Sequence, residues 1–258
     1  DAACAWVAFI AATSGSSLAR IETSVAREIF STPDTMIAGV FAPNGKAIKA
    51  EDNYVLNGHW QWGSGTQNAD WVLAGSLLTD PQQSADTKPK AHMCLVPKTS
   101  VEFLDTWHST GLKGTGSTDF RINDCRVPSA HIVGLEVDKM PDTPLFQFPN
   151  FTLLALGIAA VSMGIARAAL DNFVELAQDK KRAGSSAPIA ERGHTQMQIA
   201  EAEATLRSAR AFYYDSLSEA WTRATAGQTV DIEQRRNLRL SITHAVMAST
   251  KVVDCAYN

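Results

Sequence analysis

The run Asn57-Gly58-His59-Trp60-Gln61-Trp62-Gly63-Ser64-Gly65 sets one hydroxyl between two glycines, directly after a pair of tryptophans. With no Cβ on Gly63 or Gly65, backbone N–H groups and the Ser64 hydroxyl can come close to the edge of a flat ligand. The same residues also make a plain turn at the end of a strand. A second run, Gly114-Thr115-Gly116-Ser117, can offer a nest of backbone N–H groups to an anion, or form a β-turn that uses its glycines in the left-handed region. Lys180-Lys181-Arg182 reads as the solvated basic end of a helix, favourable near the C-terminal dipole. The six histidines, His59, His92, His108, His131, His194 and His244, have no metal-ligand spacing and read as surface or structural groups. Cys4, Cys94, Cys125 and Cys255 lie far apart with no CxxC pair, so neither a metal cluster nor a disulfide framework is expected, and a reducing cytoplasm fits.

Composition narrows the classes. At 258 residues, 45% hydrophobic, 19% charged and a net charge of -4, the chain matches an ordinary globular protein of one or two domains. It has no basic excess, so nucleic acid is not expected as a partner. The apolar run from Phe151 to Ile165 is interrupted by Thr152, Ser162 and glycines and is shorter than the ~20 residues of a membrane helix, so it reads as a buried helix and no membrane partner is expected. No signal-peptide pattern occurs at the N-terminus. Asp1 stands just before an apolar helix and Asn258 carries no cap or polar tail, so both ends are expected to be cut.

Three elements must position these groups. Residues 1–34 read as helical: a buried helix from Ala2 to about Ala12, a small polar break from Thr13 to Ser17, and a short helix from about Ile21 to Phe30. From 35 to 145 the apolar period is two, predicting strands Ile37–Phe41, Lys46–Ala50, Tyr54–Trp62, Trp71–Leu78, His92–Val96, Val101–Leu104 and Phe120–Val127. Turns are expected at Pro43-Asn44-Gly45, Glu51-Asp52-Asn53 and Asp80-Pro81, which suggests a small β-barrel or sandwich. A proline-marked linker, Pro141–Pro149, leads into 146–258, where the spacing predicts three long helices. Their expected faces are Leu153, Leu156, Gly157, Ala160, Gly164 and Ala168, then Ile199 to Ala220, then Leu238 to Ala256.

This α+β order, with the words Ala5-Trp6-Val7, Leu18-Ala19-Arg20, Phe41-Ala42-Pro43-Asn44-Gly45, Gly58 to Gly65, Ala69-Asp70-Trp71, Asp105-Thr106-Trp107-His108, Gly111 to Ser117, Val127-Pro128 and Gly164 to Leu170, resembles the acyl-CoA dehydrogenase fold. Within it the chain resembles the oxygenase subunits of two-component flavin-dependent monooxygenases, related to 4-hydroxyphenylacetate and steroid-ring hydroxylases. The resemblance implies N-terminal helices, a middle β domain and a C-terminal antiparallel bundle, with further helices on either side of this chain. It implies reduced FMN or FAD from a separate flavin reductase, O2 addition at flavin C4a to give a hydroperoxide, hydroxylation of an aromatic or related apolar substrate, and a homotetramer. On the matching positions it implies Ser64 at flavin N5 as the catalytic hydroxyl, a flavin site of Trp62, Gly63, Ser64, Trp107, Thr115 and Ser117, and Arg182 on a flavin phosphate, a task for which a bidentate guanidinium is suited.

On the substrate side the resemblance points to Ser14, Val40, Phe41 and Trp107. Ser14 stands where aromatic hydroxylases often have a substrate-binding His, and Val40 where some have Ser. A phenol-activating base is therefore missing at that position, and substrate class is the open part of the reading. Two alternatives stay open: an acyl-CoA dehydrogenase with bound FAD and a carboxylate base, for which Phe148 to Val161 holds no acid, and a scaffold that keeps the fold without the flavin. No GxGxxG nicotinamide fingerprint follows a strand.

Overall fold

The computed structural model describes residues 1–82, 88–134 and 142–257, which separate into two compact units with the division at 141/142. Pro141, at the head of the expected linker, and Asn258 lie outside the described residues.

In the first unit, α1 (Ala2–Ser17) is capped by Asp1, whose carboxylate accepts the Cys4 N–H at 3.0 Å. The polar break expected from Thr13 is absent. The Thr13 hydroxyl donates to the Phe9 carbonyl at 2.9 Å and the Ser17 hydroxyl to the Thr13 carbonyl at 3.1 Å, so these residues satisfy themselves inside the helix instead of ending it. Nor is α1 the buried helix expected: only Ser14 and Ser17 are buried. A short 3-10 turn, Leu18–Arg20, leads to α2 (Thr23–Ile29).

Seven strands follow: β1 (Ile37–Ala50), β2 (Asn53–Trp60), β3 (Trp71–Thr79), β4 (Lys90–Pro97), β5 (Glu102–Leu104), β6 (Asp119–Pro128) and β7 (Ile132–Gly134). They form one mixed sheet in the order β5-β6-β2-β1-β3-β4-β7, with β1 and β3 parallel and the other neighbours antiparallel. The expected barrel or sandwich is thus a single sheet. It curls, because β6 and β4, four places apart, both feed one core of Leu56, Trp60, Val72, Ala74, Cys94, Val96, Phe120 and Ile122. The opposite face carries Ile37, Leu73, Met93, Leu95 and Val133, covered by Leu18 and Ile29. Adjacent strand residues therefore serve different cores, as the period of two requires.

Pro43-Asn44-Gly45 does not end a strand. It forms an irregularity inside β1, with Val40 opposite Ala74 and Gly45 opposite Ser76 of β3. Gly45 is required there by close approach: a Cβ on it would stand 2.3 Å from Trp60 Cζ2 and 2.4 Å from Ser76 Oγ. The Trp60 indole is fully buried, stacks on Phe120 at 5.1 Å and donates to the Gly75 carbonyl at 2.7 Å.

The second unit holds α3 (Asn150–Asp179), α4 (Gly193–Thr225) and α5 (Ile232–Tyr257), with α5 packed on both α3 and α4. The expected faces of α4 and α5 are the buried ones, led by Leu206, Tyr213, Leu238, Ile242 and Val252. The α3 face is different: Leu156, Ala159, Met163, Ala166 and Leu170 are buried, while Ala160, Gly164 and Ala168 of the expected small-residue stripe are exposed. Within this unit the larger side chains bury more apolar area and set the helix rotation. Tyr213 ties α4 to α3 by donating to the Leu156 carbonyl at 2.9 Å, and burial pushes its phenol up to about 12. By length and composition two stretches, Ala2–Arg20 and Phe151–Asp179, are apolar enough to cross a membrane, against the expectation that the second falls short. Nor is α3 wholly the buried helix expected: Leu156, Ala159, Met163, Ala166 and Leu170 serve the three-helix core, while Phe151, Ile158, Val174 and Leu176 are exposed.

Gly45→Ala is expected to cost about 1–3 kcal/mol, since the Trp60 indole must move from under the new methyl group. Urea unfolding reads this as a lower midpoint at unchanged slope; an unchanged midpoint would contradict the packing.

Candidate functional site

The strand β2 ends at Trp60, two residues earlier than its pattern predicts. Trp60 points into the core, but Trp62 leaves the strand with φ at 60° and is 70% exposed. A left-handed backbone costs a non-glycine residue roughly 1 kcal/mol, and an exposed indole brings no burial to offset it. Two hydrogen bonds hold it there: the Trp62 N–H donates to Asp119 Oδ1 at 3.4 Å and the Trp62 carbonyl accepts the Ser64 N–H at 2.8 Å. Asp119 is itself anchored by His59 Nε2 at 3.0 Å from its other oxygen.

The glycines flanking Ser64 do not leave N–H groups free for a ligand, as their sequence suggests. The Gly63 N–H donates to the Thr118 carbonyl and the Gly65 N–H to the Thr115 carbonyl, each at 2.8 Å. Gly65 takes φ at 74° and packs where a Cβ would come 3.3 Å from Val7 of α1. The loop 112–118 is likewise a turn and not an open nest. Leu112 and Gly116 are both left-handed, and the N–H groups of Thr115 and Gly116 bond to the carbonyls of Leu112 and Lys113. The two backbone bonds from Gly63 and Gly65 join this loop to the turn after β2.

Between the joined loops runs a line of hydroxyls. Ser64 Oγ accepts the Trp6 indole N–H at 3.0 Å and lies 2.7 Å from Ser117 Oγ, which lies 2.6 Å from Thr115 Oγ1. The Thr115 hydroxyl donates to the Leu112 carbonyl at 2.8 Å, and the Trp107 indole N–H donates to the same carbonyl at 3.3 Å. Ser64, Ser117 and Thr115 are 8%, 5% and 1% exposed, so the line is shielded from water while its Ser64 end keeps some access. Trp107 is held near it because Thr106, its neighbour, accepts the Asp119 N–H at 2.9 Å.

The first unit thus brings together Trp62, Gly63, Ser64, Trp107, Thr115 and Ser117. It divides the residues expected on the substrate side: Val40 packs toward the core that holds Trp60, and Phe41 toward the opposite core. Ser14 is buried in α1. Arg182 belongs to the second unit, exposed in the loop from α3 to α4, where its carbonyl accepts the Ser185 N–H at 3.0 Å. Among the described residues no group of three His, Cys, Asp or Glu is placed to hold a metal ion. The participants that sequence reasoning missed are Trp6 and Asp119. They lie 58 and 55 residues from Ser64 in the chain, beyond the reach of any local pattern, though Trp6 sits in one of the words that carry the family resemblance.

Residues 156–258 match the family model of the acyl-CoA dehydrogenase C-terminal domain. The whole chain is similar to an indole-3-acetate monooxygenase of Pseudomonas putida, 32% identical over 257 residues that cover 99% of this chain and 65% of that protein. It is 29% identical over 279 residues to the oxygenase component of an FADH(2)-dependent resorcinol hydroxylase from Rhizobium sp., covering 98% of this chain and 68% of that one. A solved structure, XiaF from Streptomyces sp. in complex with FADH2 and glycerol, superimposes with a TM-score of 0.88 at 22% identity, over all of this chain and 67% of that one. At that identity the last likeness speaks for the fold.

If Trp62 is kept for contact with a ligand and not for folding, Trp62→Gly stabilises the protein by about 1 kcal/mol, because glycine adopts the left-handed region without strain. Urea unfolding of the ligand-free variant measures this. A loss of stability would mark Trp62 as a packing residue.

Proposed function

As a partial oxygenase-subunit sequence of the acyl-CoA dehydrogenase-fold, two-component flavin-dependent monooxygenase family, the chain leads us to propose that the full-length protein binds a reduced flavin and uses O2 to hydroxylate an aromatic or related apolar substrate. The observation that carries this reading is the pairing, on one turn, of a strained and exposed indole at Trp62 with a shielded hydroxyl at Ser64. An aromatic face next to a hydrogen-bonding oxygen is what a planar, polar-edged ring requires, so the residues fit a flavin.

When bound and reduced, the flavin supplies the electrons that activate O2. The chain's residues do the rest. Trp62 would offer its face to the ring system, and Ser64 Oγ would accept at the ring's N5 edge. There Ser64 would hold a proton on the nitrogen it faces, which would guard against loss of reducing equivalents as H2O2. Trp107, fixed by its bond to Leu112, bounds the adjoining space. Thr115 and Ser117 would support Ser64 through the hydroxyl line that ends on it. Arg182 is assigned to a flavin phosphate. The substrate side is assigned to Ser14, Phe41 and Trp107. Val40 belongs to it only through its place beside Phe41, since its own side chain packs toward the core.

A separate reductase supplies the reduced flavin, either FMN or FAD, and the protein assembles as a homotetramer in the cytoplasm. The relatives at 65% and 68% coverage carry the words monooxygenase and oxygenase component, and these support the reading.

Anaerobic titration of the full-length protein with reduced FMN and reduced FAD tests the proposal, and failure to bind either one sinks it. At the site, Ser64→Ala is expected to raise the fraction of oxidised flavin recovered as H2O2 several-fold, with flavin affinity changing less, because one net hydrogen bond is worth about 1 kcal/mol. An unchanged H2O2 yield would remove Ser64 from the chemistry.

A further inference from the structure

The line of hydroxyls behind Ser64 has a single permitted direction. A carbonyl oxygen only accepts, so the Thr115 proton lies on its 2.8 Å bond to the Leu112 carbonyl. Thr115 then has no proton left for Ser117, so the 2.6 Å bond between them takes the Ser117 proton. By the same step the 2.7 Å bond between Ser117 and Ser64 takes the Ser64 proton. At the far end an indole N–H only donates, so Trp6 fills one of the two acceptor positions on Ser64 Oγ. Every hydroxyl proton in the line is committed, and Ser64 keeps one unused lone pair.

We infer that Ser117 and Thr115 are positioning residues that turn Ser64 into a hydrogen-bond acceptor only, so that the site selects a bound ring whose facing nitrogen carries a proton. The inference rests on the flavin reading above. There the reduced ring presents N5–H and is matched by the lone pair of Ser64. The oxidised ring presents a bare N5, an acceptor facing an acceptor. For Ser64 to donate instead, it must break its shielded bond to Ser117 and reverse or orphan the two bonds behind it. Neither Ser117 nor Thr115 needs to touch the ring: their burial at 5% and 1% exposure keeps water from supplying alternative partners that would scramble the direction. The turn geometry maintains the order, since Leu112 and Gly116, both left-handed, bracket Thr115 and aim its hydroxyl back at the Leu112 carbonyl.

Two measurements on the full-length protein test this. In the first, binding of oxidised and anaerobically reduced FMN is compared for the native protein, Ser117→Ala and Ser117→Thr. The native protein is expected to favour the reduced form. Ser117→Ala frees the Ser64 proton and narrows that preference by roughly three- to tenfold, the worth of one hydrogen bond, mainly through tighter binding of the oxidised form, while Ser117→Thr, which keeps the hydroxyl, restores it. Loss of both affinities in equal proportion, or an unchanged ratio, would overturn the inference and leave Ser117 a merely structural residue. In the second, the Trp6 indole N–H resonance is followed by NMR without flavin. Removing the Ser117 hydroxyl is expected to shift it, because the acceptor strength of Ser64 depends on where its own proton goes, and a resonance that stays in place would overturn the proton order. If neither flavin form binds, the reading of the preceding section falls and redox selection with it, while the indole resonance still decides whether the line is ordered.

Discussion

Two backbone hydrogen bonds, from the Gly63 and Gly65 N–H groups to the carbonyls of Thr118 and Thr115, join the turn after β2 to the loop before β6. The rest of the site depends on that join. It brings Ser64 to 2.7 Å from Ser117, so that a hydroxyl from one strand end meets a hydroxyl from another. It also requires the chain to reverse sharply over three residues, which puts Trp62 into the left-handed region and out of the core. The buried Trp60 beneath supplies the rigid base: its indole spans Gly45 and Gly58 and stacks on Phe120 at the start of β6, so the two strands that carry the joined loops share one packed floor. Side chains held this way lose little freedom when a ligand arrives.

Strain at Trp62 and close packing at Trp60 are two sides of one arrangement. A fold selected only for stability would place glycine at a left-handed, exposed position, and would not leave a large apolar side chain 70% in water. The neighbouring carboxylate of Asp119, braced by His59, accepts the Trp62 N–H and so holds the conformation. The first unit thus holds the exposed indole and the shielded hydroxyl together, while Arg182 stands in the second unit.

Much of this fold is legible in the order of residues, for a physical reason: a strand with one buried face must alternate, and a helix in a bundle must repeat every three or four. β2 and β6 and the faces of α4 and α5 follow those rules, while β3 and β4, buried on both faces, show as short continuous apolar runs. Reading fails where a distant partner decides. Pro43-Asn44-Gly45 has the local chemistry of a turn but is carried through by pairing with β3 on both sides. The three residues of β7 are too few to show a period. In α3 the small-residue stripe and the large-residue stripe both have helical spacing, and only packing against α5 chooses between them. At the site, Ser64, Trp62, Ser117 and Thr115 stand out through motif and resemblance. What the sequence does not show is the local bonding: the N–H groups of the flanking glycines go to the join, and the Trp6 donor comes from a helix 58 residues away.

The central claim is that Ser64 receives a ring N–H at a rim formed by Trp62. A crystal structure of the full-length protein with reduced FMN, grown without oxygen, tests it most directly. The account predicts ring N5 about 3 Å from Ser64 Oγ, with the ring against the Trp62 indole and the Ser64–Ser117–Thr115 line intact. A ring bound elsewhere, or one whose N5 is met by a different donor or acceptor while Ser64 faces away, would contradict it.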